Sequence, residues 1–320
     1  MNPSYVELNE NLQKIIKASP LQKVTHPLLD EYGLKLSVKR DDLLHPDISG
    51  NKWRKLKFNL LAARSQEVNH IISFGGAFSN HIHALAAAGF HLGFKTTGII
   101  RGESSYASNP TLNQAQAWGM ELEFVSRIEY RRRNDSDYLL SLKERFPNAL
   151  IVPEGGSNQT ALPGVMESVQ EMQQQSTCAI DHIITATGSG GTLAGLIAGS
   201  SKTGLNCKVT GVAVLKKADY LNQQIEILLQ QNNVTNAPEW RLQTRFHQGG
   251  YAKVNKELAL FCQQFSLQTG IPIEPIYTGK MFYALFELVE QGHFKKGEHI
   301  IALHTGGLQG INGLQTRNLF

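Results

Sequence analysis

The chain has 320 residues, 41% hydrophobic and 18% charged, with a formal net charge of +4. That length accommodates about two ordinary domains or one large unit with an insertion, and the absence of low-complexity tracts and repeats argues against disorder and solenoids. The mild positive charge signals no nucleic-acid partner, because the densest basic run, Arg131-Arg132-Arg133, is followed by Asp135 and Asp137 without an aromatic platform and reads as a solvated helix face.

The polar start, Met1 to Glu10, lacks the basic-then-apolar pattern of a signal peptide, and the longest apolar stretches are too short to cross a bilayer. No membrane partner is expected. Cys178, Cys207 and Cys262 are far apart and form no C-x-x-C pair. They signal neither a disulfide framework nor a zinc site, so a reducing cytoplasm is the expected compartment and no metal is expected.

In chain order, Lys39-Arg40-Asp41-Asp42-Leu43 leads through a loop with Pro46 into Ser49-Gly50-Asn51-Lys52-Trp53-Arg54-Lys55-Leu56. Gly50 permits a sharp entry and Asn51 is the expected N-cap, which places Lys52 in the first turn of a helix that continues through Leu60 and Leu61. A lysine there either faces a cleft or is an ordinary solvated basic residue. A strand over His70 to Phe74 then runs into Gly75-Gly76-Ala77-Phe78-Ser79-Asn80-His81, and a helix is predicted from Ile82 to Leu92. The glycines permit close backbone approach, and Ser79, Asn80 and the helix start offer hydrogen bonds to an anion; Ser79 as a simple helix cap is the competing reading.

A strand over Thr97 to Ile100 and helices over Pro110 to Trp118 and Tyr138 to Phe146, the last stopped by Pro147, continue the alternation. A strand over Ile183 to Ala186 precedes Thr187-Gly188-Ser189-Gly190-Gly191-Thr192 and an apolar helix from Leu193 to Ala198. Successive backbone N–H groups at a helix start, with the Ser189 and Thr192 hydroxyls, suit a phosphate; the alternative is a tight turn without a ligand. A dinucleotide fingerprint requires glycine at 193, which is Leu193, and an acidic residue about 20 positions on, which is absent. A nucleotide-triphosphate loop fails too, since Gly279-Lys280 precedes Met281. Strands over Val209 to Val214 and Ile300 to Leu303 complete an α/β pattern of mostly parallel twisted sheets flanked by helices.

The run K-R-D-D-L followed by G-N-K-x-R-K-L resembles the pyridoxal phosphate (PLP) signature of the 1-aminocyclopropane-1-carboxylate (ACC) deaminase and D-cysteine desulfhydrase family. The G-G-x-x-S-N turn, the Gly188 to Thr192 loop, Glu274-Pro275-Ile276-Tyr277-Thr278-Gly279-Lys280, Gly249-Gly250-Tyr251 and His304-Thr305-Gly306-Gly307 follow in the family's order, so the resemblance spans Ser19 to Thr305. It implies a two-domain PLP fold of the tryptophan synthase β type, with a larger domain of residues 1–53 plus 159–320 and a smaller inserted domain of residues 54–158. It also implies a homodimer acting on a small amino acid.

By the same resemblance, Lys52 forms the imine with PLP, with Lys55 the weaker candidate and Asn51 beside it. Asn80 meets the ring hydroxyl, Gly188, Ser189, Gly190, Gly191 and Thr192 hold the phosphate, and Thr305 lies near the ring nitrogen. Ser79 meets the substrate carboxylate or reacting carbon, Tyr277 and Tyr251 are catalytic, and His81 and Thr278 are substrate neighbours. Two positions distinguish this chain: Thr278 stands where ACC deaminases carry glutamate, as in D-cysteine desulfhydrases, and Trp53 stands where the family often has a smaller residue. The expected reaction is β-elimination from D-cysteine to pyruvate, ammonia and sulfide. The rivals are ACC deamination to 2-oxobutyrate and a non-catalytic PLP-binding protein.

Overall fold

Adjacent apolar residues in the strands point to opposite faces, and both faces are buried, as parallel sheets require. In the computed structural model, which describes residues 3–48 and 50–311, the strands are β1 (Leu21–Val24), β2 (Lys35–Arg40), β3 (His70–Gly76), β4 (Lys95–Arg101), β5 (Glu121–Val125), β6 (Ala149–Val152), β7 (His182–Thr187), β8 (Lys208–Ala213), β9 (Trp240–Gln243) and β10 (His299–His304). They form a six-stranded sheet of order β1-β2-β10-β7-β8-β9 and a four-stranded sheet of order β5-β4-β3-β6. Among the described residues, only the β1–β2 pairing is antiparallel.

In the larger sheet, Ile184 and Ile300 pack with Phe265, Phe282 and Leu285 of the helices Lys256–Thr269 and Thr278–Glu290. Their neighbours Ile183 and Ile301 face the other way, onto Val165, Leu196 and Ile225 of the helices Leu162–Gln175, Gly191–Thr203 and Tyr220–Gln231. The smaller sheet repeats the device. Ile71 and Ile100 pack on Leu56, Leu85 and Leu112, whereas Ile72, Phe74 and Ile99 pack on Tyr130, Tyr138 and Leu142. The five strands anticipated from sequence are β3, β4, β7, β8 and β10, each two or three residues longer than its apolar stretch or, for β8, shifted by one. No helix among the described residues is long and apolar enough to cross a membrane.

The charged residues of K-R-D-D-L are structural. Lys39, fully buried on β2, pairs with Glu171 at 2.6 Å, and Arg40 pairs with Asp42 at 2.7 Å. Arg54 holds Asp41 at 2.8 Å and Glu171 at 2.5 Å, so the lysine-bearing helix Asn51–Ser65 is clamped to the end of β2 and to the helix Leu162–Gln175. This helix runs through the expected boundary between Trp53 and Arg54. Trp53 itself is buried at 4% exposure among Leu8, Leu12 and Ile48, so its size is absorbed by the core.

The helix cap differs from expectation. Gly50, not Asn51, is the N-cap, with φ +69, because a Cβ there would lie 1.9 Å from the Thr305 carbonyl oxygen. Asn51 is the first helical residue, and its side chain donates to Thr192 Oγ1 at 2.8 Å.

Candidate active site

The carboxyl ends of β3, β4, β6 and β7 open on one cavity of about 700 Å³, where ligands of open α/β sheets bind. Its lining includes Asn51, Lys52, Lys55, Ser79, Asn80, His81, Gly188, Ser189, Gly190, Thr192, Tyr251 and Tyr277. Most of the anticipated residues therefore meet in one place, although they come from distant parts of the chain.

Lys52 and Lys55 lie one helical turn apart on the helix Asn51–Ser65. Lys55 is 1% exposed and donates to Ser157 Oγ at 3.2 Å; Lys52 keeps partial exposure, facing the cavity it lines. Neither has a carboxylate within ion-pair distance among the described residues. Burial pushes the Lys52 amine down to about 8, and burial together with the Lys52 charge pushes Lys55 well below its ordinary value. Lys52 is thereby poised to exist partly as a neutral amine near neutral pH.

Ser79 caps the helix Asn80–Leu92, accepting from the Ile82 amide at 3.3 Å, and still lines the cavity. Asn80 packs against Gly307, where a Cβ would lie 2.6 Å from Asn80 Nδ2, and its Oδ1 accepts from Gln309 at 3.1 Å. His81 is buried and has a defined tautomer. Ser73 Oγ donates to the Val152 carbonyl at 2.7 Å, so the His81 Nε2 2.8 Å from that hydroxyl must carry the proton and donate to it. His81 Nδ1 is left as a buried acceptor without a partner among the described residues. Burial and the two lysine charges hold the ring well below the usual histidine range, hence neutral.

The loop after β7 turns through Gly190, φ +77, into the helix Gly191–Thr203, whose first amides face the cavity end of the sheet. Ser189 Oγ lies 2.8 Å from Ser157 Oγ, beside the Lys55 amine. Tyr277 borders Gly188, where a Cβ would come within 3.2 Å of its ring, and meets Tyr251 edge to face with ring centroids 5.9 Å apart.

Three anticipated residues do not line the cavity. Gly191 packs on Ser157, where a Cβ would lie 2.5 Å from Oγ. The Thr278 side chain is fully buried and donates to Glu274 Oε1 at 2.8 Å. Thr305 is buried, and its carbonyl accepts from the Asn51 amide at 3.2 Å.

A family profile described as pyridoxal-phosphate dependent enzyme matches residues 12–306. The chain belongs to the PLP-dependent enzymes. A putative ACC deaminase of Pyrococcus abyssi is 31% identical over 288 residues, 88% of this chain and 87% of that protein. A bifunctional D-cysteine desulfhydrase/ACC deaminase, mitochondrial, of Arabidopsis thaliana is 30% identical, over 87% of this chain and 74% of its own length. A D-cysteine desulfhydrase of Serratia proteamaculans is 27% identical over 92% and 93% of the two chains. The crystal structure of an ACC deaminase homologue superposes with a TM-score of 0.83 at 28% identity, covering 100% of both chains. This PLP enzyme is thus a member of the ACC deaminase and D-cysteine desulfhydrase family.

The site fits the cofactor. A glycine-lined helix start, three hydroxyls from Ser157, Ser189 and Thr192, and the buried Lys55 amine provide hydrogen-bond donors for a phosphate, and Lys52 provides an amine for an aldehyde. Sequence reasoning missed part of this PLP enzyme's cavity. Glu154, Ser157 and Asn158 reach it from Pro153-Glu154-Gly155-Gly156-Ser157-Asn158, a turn in which Gly155 (φ +70) and Gly156 (φ +67) repeat the double-glycine signal seen after β3. Arg101 and Arg133 also line it. Arg133 leaves the solvated run to bond Glu154 Oε2 at 2.7 Å, while Arg132 stays outside with Asp137.

Proposed function

We propose that this PLP enzyme eliminates the β-substituent of a small amino acid, with D-cysteine as substrate and pyruvate, ammonia and sulfide as products. The observation that carries the substrate choice is the bond from the Thr278 hydroxyl to Glu274 Oε1 at 2.8 Å. Glu274 is 1% exposed, so the glutamate that ACC deaminases carry at this place would set a second carboxylate against a buried one. The threonine of the desulfhydrase pattern supplies a donor instead.

Lys52 is the anchoring lysine, and the Gly188 to Gly190 turn, Ser189, Thr192 and Lys55 hold the phosphate. Asn80 is assigned to the ring hydroxyl. When bound, PLP supplies an electron sink for the pair left on the substrate α-carbon. The Lys52 amine, lowered to about 8, accepts the α-proton near neutral pH. Ser79 binds the substrate carboxylate together with the start of the helix Asn80–Leu92. The Tyr277 hydroxyl, raised by burial and by Tyr251 well above its ordinary value, stays protonated, and we assign it to donate to the departing sulfur. The C–S bond breaks, sulfide leaves, and water releases pyruvate and ammonia. We assign the protein as a homodimer of the cytoplasm, following the family resemblance and the unpaired cysteines.

A second reading, ACC deamination, is favoured by the 31% identity to the putative ACC deaminase of Pyrococcus abyssi. Parallel assays separate the two. Sulfide and pyruvate from D-cysteine, exceeding 2-oxobutyrate from ACC, support the proposal; 2-oxobutyrate from ACC with no sulfide from D-cysteine overturns it.

A further inference from the structure

Lys280 is fully buried in the first turn of the helix Thr278–Glu290, three residues beyond Tyr277. A buried ammonium is costly unless it is bonded where it sits. Among the described residues its one hydrogen-bond partner is the Gly250 carbonyl at 2.7 Å, immediately before Tyr251. The same carbonyl accepts the Lys253 amide at 3.1 Å, so the turn is closed on itself and then fastened to the helix by the lysine.

The helix end of this tie is equally fixed. The Glu274 carboxylate accepts the amides of Ile276, Tyr277 and Thr278 at 2.7 to 2.9 Å, which sets the backbone of Tyr277. The turn end is strained and lies at the surface. Gln248 and Ala252 adopt positive φ (50 and 54), Gly250 has φ +116, and Tyr251 is 41% exposed. Tyr251 belongs to no buried core cluster of the described residues, yet its ring meets Tyr277 edge to face.

We infer that Lys280 is a positioning residue: its bond to the Gly250 carbonyl holds the Tyr251 turn against the Tyr277 helix and so brings the two tyrosines together over the substrate. This rests on the reading that Tyr251 and Tyr277 serve catalysis. Lys280 is not among the residues lining the cavity, and its one side-chain hydrogen bond among the described residues goes to the Tyr251 turn.

A double-mutant cycle on the holoenzyme tests this, using whichever of D-cysteine and ACC is turned over, with PLP absorbance as the control for loading and folding. Lys280→Met should keep the absorbance and lower kcat about tenfold, while in a Tyr251→Phe background it should change kcat less than about twofold, because residues acting as one unit are not additive. Lys280→Gln, polar and shorter, replaces Lys280→Met should that variant fail to load. A harmful Tyr251→Phe whose effect multiplies fully with that of the lysine variant overturns the inference alone, as does a lysine variant with unchanged kcat. An inert Tyr251→Phe overturns both the catalytic reading of Tyr251 and the inference.

Discussion

The amide of Asn51 donates to the carbonyl of Thr305 at 3.2 Å, joining the start of the lysine-bearing helix to the chain just after β10. Gly50 makes this contact possible, since a Cβ would lie 1.9 Å from the same oxygen and φ is +69. Gly50→Ala must shift the helix start or strain it. A loss of about 3 kcal/mol is expected, from positive-φ strain plus a backbone clash, with weakened PLP retention. Denaturant unfolding of the apo-protein checks this, and unchanged stability would remove the constraint.

Ser79 separates a cap from a substrate contact. Ser79→Ala should cost about 1 kcal/mol through the lost cap. It should also lower kcat/KM about a hundredfold, far more than that loss explains, because Ser79 lines the cavity. Unfolding and steady-state kinetics on one preparation decide: a stability change with intact kcat/KM leaves Ser79 a cap alone.

The Lys52 amine of the free enzyme, pushed down to about 8 by burial, carries a sign. Its neutral form attacks an aldehyde, so the rate of PLP uptake by apo-protein should rise with pH and level off above about 8. An ordinary lysine would go on rising toward 10.5. Stopped-flow absorbance across pH 6.5 to about 10 reads it directly. A rate still climbing at the upper end would contradict the buried environment.

Arg54 clamps the lysine helix through Asp41 and Glu171. Arg54→Met leaves the fully buried Asp41 without its cation and should destabilise by about 3 to 5 kcal/mol, the range for breaking a buried pair from one side. Thermal unfolding measures it. A loss below about 1 kcal/mol would mean that the Ser19 hydroxyl, 2.7 Å from Asp41, suffices.

The parts legible in sequence were those with local signatures. Short apolar runs marked β3, β4, β7, β8 and β10, and the glycine-rich turns at the ends of β3 and β7 both line the cavity. β2 was hidden because Lys35, Lys39 and Arg40 read as polar, although Lys39 is buried on partners 20 to 136 residues away. β1, β6 and β9 are four-residue strands too short for periodicity to show. Asn51 satisfied the cap rule in sequence, but its side chain is taken by Thr192, 141 residues on. Non-local bonds of that kind, like those fixing Glu154 and Lys280, leave no spacing to read.

Lys52 is the central assignment, and Lys55 lies close enough to compete for it. Borohydride reduction of the holoenzyme, followed by digestion and fragment-ion localisation, tests it most directly. The PLP label is expected on Lys52, with none retained by Lys52→Ala and the label kept in Lys55→Ala. Label found on Lys55 instead, or undiminished labelling of Lys52→Ala, would contradict it.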